Sequence, residues 1–276
     1  MLKTLYPWRG IMLTEQIEAV LASTNPVSDD LLAQMLANIG NPNPKLRDEV
    51  IFNAWGELIS NNRLTDEQLH ALFLQIYQDQ RLFIGIGGEE SDAVFTRSFT
   101  ALLLMLLVYR HFENPWLNDS EAELLAEMAL DYLNQETDKR GFVTDKGWAH
   151  AFAHGSDFLA SVVALPSFDE QKVGRALAAL DRALLEFGPF TAGEEGRLDN
   201  ILIKLMGEDW LLEDELLQWL DGLLEQVQGD FTKEEAISAF LRSFVFKTDF
   251  EGLASQEFNQ RVNAFLEDRY KRTGGL

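Results

Sequence analysis

The sequence has no cysteine, and that absence removes disulfides, thiolate zinc sites, iron–sulfur clusters and a cysteine nucleophile. Histidine is scarce, with four in 276 residues, so imidazole chemistry has few places to sit. Long apolar runs are missing as well. The most hydrophobic segment, near Ala93–Tyr109, has only a dozen uncharged residues in a row, Ser98 to Tyr109, and Arg97 interrupts its first turns. A membrane-spanning helix needs about 20, so this segment reads as a buried core helix. The first residues show no continuous apolar stretch and no small-residue cleavage site, and no secretory leader is expected there. Bases are the remaining shortage: 23 Lys and Arg face 45 Asp and Glu, a formal charge of −22. That surface repels phosphate backbones and anionic lipid, so neither nucleic acid nor membrane is an expected partner, while a cationic ligand or basic partner is allowed. The expected location is the cytoplasm.

What is present points to helices. Hydrophobic residues make up 46% of the chain, enough for a sizeable core, and the charged content of 25% is ordinary. Leucines recur three and four apart, and no long alternating β-branched segment appears. Helix starts are marked at Thr14, Ser28 and Asn43-Pro44, and by capping-box spacings at Thr65–Gln68, Ser120–Glu123 and Thr232–Glu235. Breaks at Asn25-Pro26, Gly40–Pro44, Asn61-Asn62, Gly85–Gly88, Asn114-Pro115, Arg140-Gly141, Pro166, Gly188-Pro189, Gly207 and Gly229 leave about a dozen helices. Paired, they form units of roughly 35–50 residues, the period of two-helix solenoid repeats. The expected fold is all-α: helical hairpins stacked into a right-handed α-solenoid of HEAT or armadillo type, with a closed α/α toroid as the alternative. Residues 36–58, with Gly-Asn-Pro-Asn-Pro-Lys-Leu-Arg-Asp-Glu-Val inside them, resemble the turn and second helix of one HEAT-type repeat, in which an arginine faces the next unit's acid, with an ordinary helical hairpin as the alternative. Phe95-Thr-Arg-Ser-Phe99 is echoed by Phe240-Leu-Arg-Ser-Phe244, both early in apolar helices; the echo is either a chance match in a phenylalanine-rich chain or a mark of equivalent positions in a repeated helical pair. No linker rich in Pro, Gly or Ser divides the chain. Residues 1–11 read as an N-terminal lead, 12–272 as one repeat-like domain, and Thr273–Leu276 as disordered.

One stretch concentrates chemistry: Arg140-Gly-Phe-Val-Thr-Asp-Lys-Gly-Trp-Ala-His-Ala-Phe-Ala-His-Gly-Ser-Asp157. Gly147 reads as a loop residue and Trp148 as the first residue of a helix. On that helix His150, His154 and Asp157 are spaced four and three apart, so they share a face, with Trp148 about a quarter-turn away. Arg-Gly-Phe followed by Gly-Trp-Ala-His-Ala-x-Ala-His-Gly-x-Asp resembles an uncharacterised bacterial family of helical proteins, domain-of-unknown-function family 2785. The resemblance runs from about Met12 to the C-terminal helix and includes the Arg97-Ser-Phe segment. It implies an all-helical fold and a family-specific site around Trp148, and it implies no reaction.

Two imidazoles and a carboxylate suit a divalent first-row metal and leave coordination positions open, so His150, His154 and Asp157 are candidate metal ligands and candidate catalytic groups. Ala151 stands where hydrolytic zinc helices carry the glutamate after their first histidine, so zinc peptidase chemistry is not supported. The bland alternative is a structural polar cluster, with His154 bonded to Asp157 and His150 capping or pairing elsewhere. Arg97, Arg140 and Arg197 are candidate ligand-binding residues. Since buried arginine needs a carboxylate, Arg97 is expected to pair with Asp157 or Glu90; an ion pair holding neighbouring repeats competes with a ligand role. Gly85-Ile-Gly-Gly-Glu-Glu lacks the ending of a phosphate-binding loop and reads as a turn before a helix. Trp55, Trp116, Trp210 and Trp219 read as core, whereas Trp148 either walls a pocket or pins the loop 138–147. Ser156 lacks a nucleophile elbow. Two functions follow. The first is a binding or scaffold module whose concave polar site around His150, His154 and Asp157 takes a protein, peptide or small-molecule partner. The second is a metal-dependent or acid–base hydrolase or lyase using the same cluster. Enclosure of both imidazoles by apolar neighbours would remove the second.

Overall fold

The structure is a computed structural model that describes residues 7–253 and 255–274, with side chains from Ile11 onward. The fold is all-α. Twelve α-helices lie among the described residues: α1 Pro7–Leu21, α2 Asp29–Ala37, α3 Asn53–Ser60, α4 Asp66–Gln78, α5 Ala93–Glu113, α6 Asp119–Gln135, α7 Ala151–Val162, α8 Glu170–Arg182, α9 Glu195–Gly207, α10 Glu213–Val227, α11 Phe231–Glu251 and α12 Gln256–Thr273. A π-helical stretch, Lys45–Phe52, runs directly into α3, and a second, Ala183–Phe187, extends α8. The strands among the described residues are β1 Phe142–Val143 and β2 Gly147–Trp148, antiparallel, with Phe142 opposite Trp148.

Local chemistry sets these boundaries, in places not where the pattern first suggests. Ser28 and Thr65 cap α2 and α4 as their spacing predicts. α6 is capped by Asn118, reciprocally with Glu121, two residues before the expected Ser120 box. Asp230, not Thr232, caps α11 through the Thr232 and Lys233 amides. Aspartate outranks threonine as a cap, whereas asparagine and serine are near equals, and at α6 the upstream asparagine holds the cap through its reciprocal bonds with Glu121. α1 runs from Pro7 through Met12 and Thr14, so residues 7–11 of the expected lead are helical, and residues 1–6 lie outside the described residues. At the other end Thr273 is helical and Gly274 caps α12 in the left-handed region, with 275–276 outside the described residues.

Odd-numbered helices pack in series, α1 on α3, α3 on α5, α5 on α7, α7 on α9 and α9 on α11, and the tightest contacts are those of α7. The even helices form a second layer tied by polar contacts: His70 to Glu121, Arg175 to Glu127 and Asp131, Trp219 Nε1 to Asp181, and Arg261 to Asp221. Among the described residues, none of the closely packed pairs joins the first four helices to the last four. One hydrophobic core runs through the stack, and a small satellite of Val94, Phe95, Ala149 and Ala151 lies under the β1–β2 hairpin. α5 is long and apolar enough by composition to cross a membrane, but 72% of its apolar window is buried within the fold, as befits a core helix.

α7 is the centre of this arrangement. Every residue from Ala151 to Val162 is buried, because Ala, Gly and Ser at 151, 153, 155, 156, 160 and 161 let the neighbouring backbones come close. A Cβ on Gly155 would lie 2.6 Å from the Tyr132 ring on α6, so glycine is required for that approach. The repeated Phe-x-Arg-Ser-Phe segments both lie on 21-residue odd-layer helices, but the likeness is partial. Phe95 opens α5 while Phe240 sits midway along α11; Arg97 is buried, whereas Arg242 is exposed and donates to the Tyr270 hydroxyl at 2.7 Å. In the HEAT-like segment, Arg47 does not meet the next unit's acid. It is fully buried between the Phe95 and Phe99 rings, pairs with its neighbour Asp48 at 2.7 Å, and donates to the carbonyls of Asn41 and Lys146.

Candidate functional site

Trp148 does not open the helix. It belongs to β2, and α7 begins at Ala151 behind His150, which occupies the N-cap in the left-handed region at φ 46°. A non-glycine residue is uncommon there and is held by its surroundings: the His150 amide donates to the Arg140 carbonyl at 3.2 Å, and its carbonyl accepts the His154 amide at 2.8 Å. The hairpin before it hangs from Arg47, whose guanidinium donates to the Lys146 carbonyl at 2.7 Å, and from the Lys146–Asp92 ion pair at 2.6 Å. Gly147 has φ 77°, and a Cβ there would meet Pro44 at 2.8 Å, so only glycine lets this turn lie against the Lys45–Phe52 stretch.

The two imidazoles do come together. His150 and His154 meet edge-to-face with centroids 5.7 Å apart, and they are the middle of a ladder of rings running from core to surface. Phe52 contacts Phe99 at 5.8 Å, Phe99 contacts His154 at 5.3 Å, His150 lies under Trp148 at 4.4 Å, and Trp148 meets Phe142 at 5.0 Å. The outer rungs are solvent-facing: Trp148 is 43% and Phe142 61% exposed. His154 is enclosed. His150 is only partly so, with its side chain 15% exposed beneath the indole.

Asp157 goes elsewhere. Arg197 of α9 grips it with Nε at 2.9 Å and with a second, shorter bond from a terminal nitrogen, and Asn200 Nδ2 adds a third at 3.3 Å. Its carboxylate is therefore saturated by a guanidinium, and among the described residues no group of three or more His, Asp or Glu is arranged to hold a metal ion. The expected partnership of Arg97 is also revised. Arg97, 3% exposed, pairs with fully buried Glu136 through Nε at 2.6 Å and a terminal nitrogen at 3.0 Å, not with Asp157 or Glu90. Glu136 Oε1 also accepts the Thr137 and Asp138 amides at 2.8 Å each. Arg140 grips Asp138 at 2.9 Å, donates to the Ser91 carbonyl at 2.8 Å, and is the arginine that approaches Glu90, at 3.8 Å. Arg97 and Arg140 thus fasten the segment leaving α6 and do not face the histidines. Of the three arginines, Arg197 is the one whose charge acts on both histidines; it stands half-exposed on α9 against Asp157 of α7, with Tyr109 of α5 near enough to act on its charge.

The residue the motif does not reveal is Glu194, just before α9. Its side chain is buried, Oε2 accepts the Ala192 amide at 3.0 Å, and Oε1 stands 3.7 Å from His150 Nε2 with no hydrogen-bond partner. His150 Nε2 and His154 Nδ1 are likewise buried and unpartnered. Gly141 makes room for this carboxyl, since a Cβ there would come within 2.8 Å of Glu194 Oε1. The Glu194-Glu195 pair reads in sequence as helix-start acid, which hides its inward turn. Burial, and then the Arg197 charge, push His150 down to about 4. Burial chiefly, then His150 and Arg197, hold His154 well below the usual imidazole range, with the Ser98 carbonyl pulling the other way. Burial raises Glu194, against the Glu194 and Ala192 amides. The cluster thus disfavours either sign of charge: two neutral imidazoles face a carboxyl that holds its proton more tightly than usual.

The chain matches a family described as a protein of unknown function, DUF2785, over residues 82–248, and it belongs to that family. The match spans α5 to most of α11 and contains His150, His154 and Glu194; it is narrower than the stretch from Met12 that the motif suggested. No curated protein and no solved structure matches the chain.

Proposed function

We propose that the chain is a binding module, a HEAT- or armadillo-type stack whose buried polar cluster at the start of α7 receives a polar group of a protein, peptide or small-molecule partner. The observation that carries this reading is the cluster of His150 Nε2, His154 Nδ1 and Glu194 Oε1, three buried polar atoms without hydrogen-bond partners. Each such atom costs about 1–3 kcal/mol when left unpaired, and folded proteins leave few. Three together beneath an exposed tryptophan support a place where a partner completes the bonding. The serial packing of the odd helices supports the solenoid reading, since stacked hairpins present one continuous face.

A second reading, an acid–base hydrolase or lyase, draws on the opposed shifts of His150 and Glu194 across 3.7 Å. Its metal-dependent form lacks a ligand set among the described residues.

The binding reading is tested by fluorine NMR of protein labelled with 5-fluorotryptophan, with the Trp148 resonance assigned through Trp148→Phe. Fragments of neutral, cationic and anionic character are added in turn at millimolar concentration. Saturable movement of the Trp148 resonance, weakened by Glu194→Ala, is expected. A resonance that no fragment moves would overturn the reading.

A further inference from the structure

The ladder of rings leads from exposed aromatic faces to polar atoms that lack partners, and the chemistry of those atoms narrows what fits. We propose that this place takes a neutral polyhydroxyl ligand, a sugar or polyol, with a carbon face against Trp148 and one hydroxyl between His150 Nε2 and Glu194 Oε1. The inference rests on the binding reading above and adds the chemical class of ligand.

Four observations carry it. His150 Nε2 and Glu194 Oε1 are 3.7 Å apart, too far for a bond to each other, yet one oxygen can lie within hydrogen-bond distance of both. A hydroxyl both donates and accepts, so it satisfies the pair whichever tautomer and proton arrangement the pair holds. Charged groups fit poorly. An ammonium would lie near Arg197 and Arg47, whose charges already weigh against a proton on the imidazoles. An anion would meet buried Glu194 in a chain of net charge −22, and the nearest guanidinium, Arg197, already has two nitrogens on Asp157. Finally, Trp148 and Phe142 are exposed side by side on a two-residue hairpin, an apolar face with polar groups directly beneath it. The indole covers the His150 ring at 4.4 Å and Glu194 Oε1 lies beside Gly141, so a ligand hydroxyl reaches the pair only where these contacts yield.

The test uses the full chain, the Trp148 fluorine resonance, and four named probes: methyl α-glucoside and myo-inositol as neutral polyols, butylammonium and butyrate as charged controls. The polyols are expected to move the resonance saturably and the charged probes not to. Glu194→Ala should weaken polyol binding about tenfold, the scale of one lost hydrogen bond, while Glu194→Gln, which keeps a neutral donor and acceptor, should stay within about threefold. If Glu194→Ala does not fold, as judged by near-UV circular dichroism, His150→Asn replaces it, because asparagine tolerates the left-handed backbone. Response to a charged probe but to neither polyol overturns the ligand class and leaves the binding reading standing. Silence to all four probes overturns the class, and silence extended through the fragment set overturns the binding reading with it. A Glu194→Gln variant as weak as Glu194→Ala overturns the neutral-hydroxyl assignment.

Discussion

Removing the Arg97 guanidinium while keeping its stem, by Arg97→Met, isolates the ion pair at the exit of α6. Glu136 is fully buried and receives two bonds from Arg97, at 2.6 and 3.0 Å, so the variant leaves a carboxylate in the core without its counter-charge. Breaking such a pair from one side costs about 3–5 kcal/mol. Glu136 retains the Thr137 and Asp138 amides at 2.8 Å, which favours the lower end of that range. With about 2–4 °C per kcal/mol for a domain of this size, the melting temperature should fall by roughly 6–12 °C. The assay is guanidinium unfolding followed by far-UV circular dichroism, repeated for Glu136→Gln and for the double variant. The introduced amide keeps an acceptor for the two backbone N–H groups but carries no charge. The double variant should therefore be less destabilised than the sum of the singles by about 2 kcal/mol, the signature of direct coupling. An Arg97→Met protein within about 1 kcal/mol of the parent, or strict additivity, would refute the structural role. Unchanged stability with lost binding at Trp148 would reassign Arg97 to the ligand.

Burial raises Asp181 to about 6 despite the bond from Trp219 Nε1, so the folded chain holds this proton more tightly than the unfolded one. Stability is thus gained as pH falls from above 6 through the unfolded value, and the charged form is a liability at neutral pH. Asp181→Asn, which keeps the acceptor, should stabilise the protein by about 1–3 kcal/mol at pH 8 and by almost nothing at pH 4; a uniform effect across denaturant curves at the two pH values would contradict this. Gly155→Ala places a methyl 2.6 Å from the buried Tyr132 ring and should cost about 1–3 kcal/mol, checked by the unfolding midpoint; a neutral result would mean that α6 and α7 are not so closely apposed. Asn118→Ala should cost about 1 kcal/mol and Ser120→Ala less than about 0.5, because the amide of Glu121 is capped by Asn118. The reverse order in thermal melts would restore the serine as the cap.

The all-helical class is legible because leucine spacing and strong caps report on local geometry, which a single chain segment settles by itself. Thr65 and Ser28 cap where the pattern puts them for that reason, whereas the true caps Asn118 and Asp230 lie two residues upstream of the pattern because a second cap-forming residue sits just inside each helix. The site is only half legible. His150 and His154 do meet, as their spacing implies, but the helix begins three residues after Trp148, since the left-handed turn at His150 reverses what periodicity alone extends. Helical spacing says which side chains share a face and nothing about who faces them. Arg197 claims Asp157 from 40 residues away, Glu136 claims Arg97, and Glu194 approaches His150, and all three partnerships are set by tertiary packing. Arg47 shows the same limit: its HEAT-like setting suggests a neighbouring acid, and it serves a hairpin 99 residues on.

One enclosed and one largely buried imidazole, both held toward the neutral form, stand beside a buried carboxyl, and their protonation tests the proposed site most directly. Carbon-detected NMR of the histidine rings, with His150 and His154 assigned by substitution, would follow them from about pH 8 down to about pH 3.5, a range that spans the ordinary imidazole value. His150 should reach its midpoint near pH 4, and the midpoint of His154 should lie well below the usual imidazole range. Midpoints of about 6.5 for both rings, the value of a solvated imidazole, would show that water surrounds them and that the cluster is not closed.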